Sequence, residues 1–381
     1  MDGSLPRGVI EHDARADIGR TLHGDILEIG PGNAPFPTGP GARVTYADRS
    51  VEGGRDATWP ELAGQPWGPA SDLDLDLDVN GLAAVDDGAF DAVVACHMIE
   101  HLANPIEALR EFERVLRPGG RLVLIVPDRT RTFDSVRQPT SLAHVLDDFD
   151  RHVTEVDADH ITEFCEAIFR QPSFHPDEVR AWYDPSQLDD ARFELHRRRS
   201  IHVHCWTPEE FAAIMAAAVA RGLMTWDFVD LYFFDDAGAV DNEFGLILER
   251  PRAPQIPQEQ SKAFVRHWAC RVLERSTCDP RRLIALHAAL LANLGTVSEL
   301  TSSAAVLGEM VCDELIRIRE DAIFCRQCLR ATADETTQLA ARLKASEEQL
   351  EEILRSRSFR FSRVLSACLQ PMRGVTRRSA H

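Results

Sequence analysis

Short apolar runs alternate with amphipathic stretches over roughly the first two thirds of the chain. The apolar runs have the length of β-strands and are bounded by glycine, proline or acidic residues. They lie at 25–29, 43–47, 90–96, 121–126, 223–234 and 242–249, and a strict Asp/Leu alternation at 71–80 predicts a further strand with one wet face. Helical patterns lie at 14–22, 105–116, 140–148 and 207–221. Strands and helices that alternate in this way predict an α/β fold.

The character of the chain changes after this α/β region, which we place at 1–250. A stretch rich in proline and glutamine at 251–260 predicts a linker. Helical patterns fill 261–330, and heptad spacing at 331–357 predicts a short coiled coil. The sequence thus predicts an all-α, partly coiled-coil C-terminal extension and a homo-oligomer formed through it. The basic tail at 358–381 would either contact an anionic membrane surface or stay solvated.

Composition excludes some functions. The 381 residues carry a net charge of −19, which argues against broad nucleic-acid binding because few basic residues are left to neutralise phosphates. No apolar segment reaches the length of a signal sequence or a membrane span, so we expect a cytoplasmic protein. The nine cysteines are scattered and predict free thiols. Cys325 and Cys328 form a close pair without a matching second pair, so the sequence indicates no zinc or other metal site.

A glycine-rich turn follows the first strand and is the first candidate site. Gly30 and Gly32 allow a close approach of backbone or ligand, and Glu28 lies just before them. In an α/β sheet this edge binds nucleotide-like cofactors, and Asp48 at the end of the second strand would accept hydrogen bonds from a ribose. Two cofactor classes fit. Pro35 stands where the dinucleotide fingerprint has its third small residue, which argues against NAD as the cofactor.

Further motifs resemble those of class I S-adenosylmethionine-dependent methyltransferases that act on small molecules. They are Glu28-Ile29-Gly30-Pro31-Gly32, Phe90-Asp91-x-Val93, His97-x-x-Glu100-His101-Leu102, Arg114-Val115-Leu116-Arg117-Pro118-Gly119-Gly120-x-Leu122 and a strand that ends at Pro127. The resemblance implies a Rossmann-like seven-stranded sheet and S-adenosyl-L-methionine as cofactor. The sequence departs from the family pattern in the proline-rich segment 33–42, where we expect a loop to replace or shorten the usual helix.

The resemblance also implies roles for individual residues. Glu28 would bond to the methionine part of the cofactor, Asp48 to its ribose and Asp78 to its adenine amino group, while Val79 would flank the ring. His97 would lie on the cofactor side of the site. The cofactor-binding residues predicted are Glu28, Gly30, Gly32, Asp48, Asp78, Val79 and His97.

The acceptor side would be built by an insertion at 128–206. Proton removal from a hydroxyl needs a base, and His144 and His160 are the catalytic candidates, with His204 as a third. Each could instead be a packed structural histidine. Asp134 with these histidines could hold a metal, but the spacing is not diagnostic, and we predict none.

The acceptor itself is predicted from a weaker resemblance. The C-terminal tail resembles one that follows coiled coils in bacterial enzymes of surface-polysaccharide assembly, and the insertion is polar and rich in histidine. Together they suggest O-methylation of a sugar hydroxyl on a small molecule or glycan precursor. Two alternatives remain open at this point. One is an NAD-dependent sugar-modifying oxidoreductase, and the other is a non-catalytic scaffold that only binds S-adenosylmethionine.

Overall fold

The structure is a computed structural model. It describes residues 14–32, 34–49, 64, 68–170, 183–199, 201–233, 242–274, 280–293 and 297–311, together with 313, 344, 345 and 348.

The described residues form a seven-stranded mixed sheet. Its strands are β1 (Asp25–Ile29), β2 (Arg43–Asp48), β3 (Leu73–Asp74), β4 (Phe90–Cys96), β5 (Leu116–Pro127), β6 (Asp227–Tyr232) and β7 (Glu243–Glu249). Their order is β3-β2-β1-β4-β5-β7-β6, and only β7 runs antiparallel to its neighbours. The predicted Rossmann-like seven-stranded sheet is confirmed. A dinucleotide-binding sheet has a parallel sixth strand beside the fifth, so this order disfavours the oxidoreductase alternative.

Helices cover both faces of the sheet. They are α1 (Ala14–Gly19), α2 (Pro105–Val115), α3 (Leu142–Asp150), α4 (Ala158–Phe169), α5 (Asp190–Arg199), α6 (Pro208–Ala220), α7 (Pro257–Glu274), α8 (Pro280–Ala292) and α9 (301–311). Local sequence sets their starts. Asn104 caps α2, with Pro105 at the first position, and Thr207 and Glu210 cap α6 reciprocally. These starts agree with the predicted helices.

The Asp/Leu alternation at 71–80 forms a strand only at Leu73–Asp74, and turns follow from residue 77. The prediction of a full strand is therefore wrong. The physical reason lies in Asp76, whose Oδ1 accepts hydrogen bonds from the backbone of Asp78 and Val79. Such side-chain bonds offer the backbone an alternative to the strand ladder and favour a turn.

The proline-rich segment after β1 is a loop in its described part, as predicted. Phe36 in this loop is buried against β1, and its backbone N–H donates to Oε1 of Glu28 (2.7 Å). The loop is therefore fixed to the glycine-rich turn through the buried glutamate.

The C-terminal helices share the main hydrophobic core of the α/β domain. Trp268 of α7 is fully buried in that core, and Nη1 of Arg282 in α8 donates to Oε1 of Glu209 in α6 (3.0 Å). Because α7 begins at Pro257, it occupies part of the range 251–260 that was predicted as a linker. These helices are thus packed onto the sheet domain and are not tethered loosely to it.

Most of the remaining C-terminal predictions lie outside the described residues. These are the coiled coil at 331–357, of which only 344, 345 and 348 are described, the basic tail at 358–381 and the Cys325/Cys328 pair. Within the described part of the chain, no helix is both long and apolar enough to cross a bilayer.

Candidate functional site

The glycine-rich turn after β1 leaves open space at the carboxyl edge of the sheet. Gly30 has φ +63°, a backbone conformation that favours glycine, and a Cβ there would lie 2.5 Å from Sδ of Met98. Gly32 has φ +56°, and a Cβ there would meet no atom of the described residues within 4 Å. The first glycine therefore packs the turn, and the second faces room for a ligand.

Glu28 lies beneath this turn, and one of its two carboxylate oxygens accepts no hydrogen bond from the described residues. Its side chain is 2% exposed, and Oε2 has no hydrogen-bond partner among the described residues. Burial raises the pKa of Glu28 to about 7, although the bond from the backbone of Phe36 opposes the shift. A buried oxygen without a partner is uncommon in a folded protein and fits a donor supplied by a ligand.

Asp48 ends β2 at the same edge and lies opposite Asp74 of β3. Its Oδ1 accepts a hydrogen bond from the backbone N–H of Arg49 (2.9 Å). The carboxylate stands at the carboxyl end of a parallel strand next to β1. The strand order reverses between β1 and β4, and an α/β sheet has its ligand crevice outside the carboxyl ends of the strands at such a point.

Asp78 and Val79 lie beyond β3, along a groove of about 380 Å³ that Asn104 helps to line. Oδ1 of Asp78 accepts from the backbone N–H of Ala103 (2.8 Å), and burial raises its pKa to about 6. Val79 is 62% exposed, which is unusual for a large apolar side chain and leaves it free to contact a ring.

His97 follows β4 directly and is tied into a buried network around Glu243. It has φ +49°, its Nε2 lies 2.9 Å from Oε2 of Glu243, and Glu243 also accepts from the hydroxyl of Tyr232 (2.6 Å) and the guanidinium of Arg15. These donors lower the pKa of Glu243 to about 2 despite its burial, and the glutamate raises the pKa of His97. His97 is thereby held at the edge of the cofactor crevice.

A second group of side chains lies beside His97 and consists of Glu100, His101 and His202. Their potential ligand atoms lie within 4.8 Å of one another. Glu100 is 1% exposed, and neither of its carboxylate oxygens has a hydrogen-bond partner among the described residues. We call this group the Glu100 triad.

Outer partners fix both rings of the Glu100 triad. Nδ1 of His101 lies 2.9 Å from the carbonyl oxygen of Ile201, and Nδ1 of His202 lies 2.7 Å from Oδ2 of Asp134. We assign the proton to Nδ1 in each ring, because both partners are acceptors. Each Nε2 then keeps a lone pair, the state in which imidazole binds a metal.

A third group brings together the histidines of the insertion. His144 and Asp148 come from α3, His160 from α4 and His204 from the segment after α5, and their potential ligand atoms again lie within 4.8 Å of one another. Nε2 of His144 lies 2.7 Å from Nε2 of His160, and Nδ1 of His160 lies 2.8 Å from Oδ1 of Asp157. We call this group the three-histidine cluster.

The sequence pointed to some of these residues and missed others. It singled out His144, His160 and His204, which the structure brings together, but it placed Asp134 with them, whereas Asp134 lies with His202. It gave no role to Glu243, Asp157 or Asp148. An acidic residue at the start of the apolar run 242–249 was the available signal for Glu243.

Comparison with known proteins bears on this arrangement. A model of the methyltransferase domain family matches residues 12–168, which contain β1 to β5 and the glycine-rich turn. The chain carries a class I S-adenosylmethionine-dependent methyltransferase domain. The donor of this domain class is S-adenosylmethionine, and the features of the crevice fit it: open space at Gly32, an unpaired oxygen on Glu28 and a carboxylate at Asp48.

Curated relatives match short segments of the chain. An uncharacterised 37.1 kDa protein in a transposon of Streptomyces fradiae is 38% identical over 87 residues, which are 23% of this chain and 24% of the relative. A ubiquinone biosynthesis O-methyltransferase of Xanthomonas oryzae is 44% identical over 52 residues, 14% of this chain and 22% of the relative. The chain thus spans less than a quarter of the length of these relatives.

Among solved structures, a putative methyltransferase from Bacillus halodurans is similar over 62% of this chain and 96% of its own, with 12% identity and a TM-score of 0.31. The fold assignment depends on the strand order described above and not on this similarity.

Proposed function

We propose that this protein transfers a methyl group from S-adenosylmethionine to a hydroxyl oxygen of a small molecule, a sugar or glycan precursor. The observation that carries the choice of an oxygen acceptor is the Glu100 triad. The buried Glu100 carboxylate accepts no hydrogen bond among the described residues, and its Oε1 lies 3.7 Å from Nε2 of His101 and 3.7 Å from Nδ1 of His97. The potential ligand atoms of Glu100, His101 and His202 lie within 4.8 Å of one another. This set of two histidines and one carboxylate is typical of a metal site with open positions.

The cofactor would lie over the glycine-rich turn. Asp48 would accept from the ribose hydroxyls, Asp78 and Val79 would hold the adenine, and Glu28 would meet the methionine part with its unpaired Oε2. His97 would close the crevice from the β4 side, where the Glu243 network holds its ring. These assignments carry over the sequence predictions, and the positions of the side chains at one sheet edge support them.

The acceptor would lie between His97 and the insertion. A divalent cation bound by the Glu100 triad would polarise an acceptor hydroxyl and lower its pKa. The chain's own contribution would be to orient the rings of His101 and His202 through Ile201 and Asp134 and to hold the acceptor in line with the sulfonium carbon. In this proposal the Glu100 triad activates the acceptor hydroxyl. The sequence analysis predicted that role for His144 and His160.

Two observations support an oxygen acceptor and a polar substrate. The relative from Xanthomonas oryzae, which is 44% identical over 52 residues, is an O-methyltransferase by name. The insertion side of the crevice carries histidines and acidic residues, which suit a substrate rich in hydroxyl groups. The sugar assignment depends on the resemblance of the tail and on the polar, histidine-rich insertion.

The test is turnover of methyl-labelled S-adenosylmethionine by the full chain with pooled glycan precursors. We expect label in an acid-stable ether product with the wild type, and at least ~100-fold less with Glu100→Gln, since removing one group that acts on the transition state typically has effects of this order. The matched control is Glu259→Gln, which changes an exposed glutamate on α7. Cofactor binding without transfer to any acceptor pool would favour the scaffold alternative.

We also propose that copies of the chain associate through the coiled coil predicted at 331–357 and that the protein acts in the cytoplasm, with the basic tail as a contact to anionic membranes. Sedimentation of the full chain and of a chain that ends at residue 313 tests the association. If both proteins contained the same number of chains per particle, the result would contradict this association.

A further inference from the structure

The three-histidine cluster is separate from the Glu100 triad and takes no part in the function proposed above. His144 and Asp148 lie one turn apart on α3, so their side chains share a face. His160 reaches them from α4, and His204 comes from the segment that follows the insertion's last helix. Four potential ligands from three separate segments thus converge on one point.

Two members of the cluster are buried without the partners that such groups need. His204 is 0% exposed, and neither of its ring nitrogens makes a hydrogen bond of good geometry among the described residues. Asp148 is 2% exposed, and its Oδ2 lies 3.2 Å from Nε2 of His144 without the geometry of a hydrogen bond. Buried polar atoms are nearly always paired, so these atoms indicate a missing partner.

An outer contact also prepares His160 for a ligand role. Its Nδ1 faces Oδ1 of Asp157 (2.8 Å), so we assign the proton to Nδ1. Nε2 then carries a lone pair toward the centre of the cluster, where Nε2 of His144 lies 2.7 Å away. A carboxylate behind a histidine is the arrangement that orients metal-binding histidines in known sites.

We propose that His144, Asp148, His160 and His204 bind one zinc ion. Zinc prefers four ligands in a tetrahedron and accepts imidazole nitrogen and carboxylate oxygen, whereas magnesium and calcium prefer oxygen ligands. Bonds of about 2.0–2.1 Å set neighbouring ligand atoms about 3.3 Å apart, so the His144 and His160 nitrogens would separate by roughly half an ångström on binding.

The ion would have a structural role. Four protein ligands fill the tetrahedron and leave no open position for a substrate. The ion would join α3 and α4 to the segment 201–206. Trp206, the last residue of this segment, forms a β-bridge with Asp128, which directly follows β5. It would therefore fix the insertion against the sheet on the acceptor side of the crevice.

The first experiment measures zinc bound to the full, untagged chain by elemental analysis after dialysis against a weak chelator. We expect one equivalent of zinc that His144→Gln and His204→Gln each remove. His144 is 39% exposed, so its replacement should leave the fold intact. The matched control is His267→Gln on α7, which changes an exposed histidine outside the cluster and should retain the zinc.

The second experiment separates this ion from one in the Glu100 triad. Glu100→Gln should leave the zinc of the three-histidine cluster in place, and Asp157→Asn should weaken zinc binding about 10–100-fold without removing a ligand. Zinc should also raise the melting temperature of the wild type and not that of His144→Gln. Wild-type protein that binds no zinc, or His144→Gln and His204→Gln variants that both bind as much zinc as the wild type, would overturn the proposal.

Discussion

His202 and Asp134 form a contact of 2.7 Å that connects the acceptor-side insertion to the Glu100 triad. Asp134 is 1% exposed and is held in turn by Nη1 of Arg137 (2.8 Å), which is also buried. The Arg137 guanidinium further donates to the carbonyl oxygens of His202 and Val203. The orientation of His202 therefore depends on a buried ion pair behind it.

The first prediction concerns that ion pair. Arg137→Met should lower the free energy of unfolding by about 3–5 kcal/mol, because it leaves the carboxylate of Asp134 buried with one charged partner fewer. Urea unfolding followed by circular dichroism measures this. Arg151→Met removes an exposed pair with Asp147 on the neighbouring helix and should change stability by less than about 1 kcal/mol. Equal losses in the two variants would show that Arg137 does not support the site.

The second prediction concerns the ribose contact. Asp48→Ala should weaken binding of S-adenosylhomocysteine by about 100-fold or more, since two hydrogen bonds to a charged acceptor contribute roughly 1.5 kcal/mol each or more. Calorimetric titration measures the affinity. Asp74→Ala, directly opposite on β3, is the matched control and should bind as the wild type does. Unchanged affinity in Asp48→Ala would remove Asp48 from the site.

The third prediction concerns pH. The folded pKa of Glu28 is about 7, above its ordinary value of 4.5, because the carboxyl is buried. Below pH 4.5 the group is neutral in both folded and unfolded chains and does not lower the free energy of unfolding. As the pH rises from 4.5 through 7, the unfolded chain ionises first, so the folded chain loses stability by up to about 3 kcal/mol relative to Glu28→Gln.

Unfolding by urea across this pH range, in wild type and Glu28→Gln, measures that difference. Saturating S-adenosylmethionine, which carries positive charge, should reduce it, because the cation favours the ionised carboxylate. A difference that does not depend on pH would mean that Glu28 is not the buried, nearly neutral group described here.

The fourth prediction concerns the C-terminal helices. Trp268→Ala should destabilise the protein by about 3–5 kcal/mol in a single cooperative transition, because the ring is fully buried in the core shared with the sheet domain. His267→Ala changes the exposed neighbour and should stay within about 0.5 kcal/mol of the wild type. Two separate unfolding transitions would indicate that the helices form an independent unit.

The sequence predicted the sheet well because its signals are local. The apolar runs of β1, β4 and β5, the cap at Asn104 and the reciprocal cap at Thr207 each act within a few residues. The Asp/Leu alternation failed because a side-chain bond from Asp76 competes with strand pairing, and periodicity does not report such bonds.

The sites were harder to predict because they join residues that are distant along the chain. Glu100 and His101 meet His202 after about a hundred intervening residues, and His204 meets His144 after about sixty. Spacing alone gives no sign of these encounters. Glu243 illustrates the same limit, since its partners Arg15 and His97 lie 228 and 146 residues away along the chain.

The structure of the full chain crystallised with S-adenosylhomocysteine tests the central claim most directly. We expect the ribose hydroxyls within hydrogen-bond distance of Asp48, the adenine beside Val79 and the homocysteine part above Gly32. A crevice that stays empty at saturating ligand, or a nucleoside bound elsewhere on the chain, would contradict the assignment of this edge as the methyl-donor site.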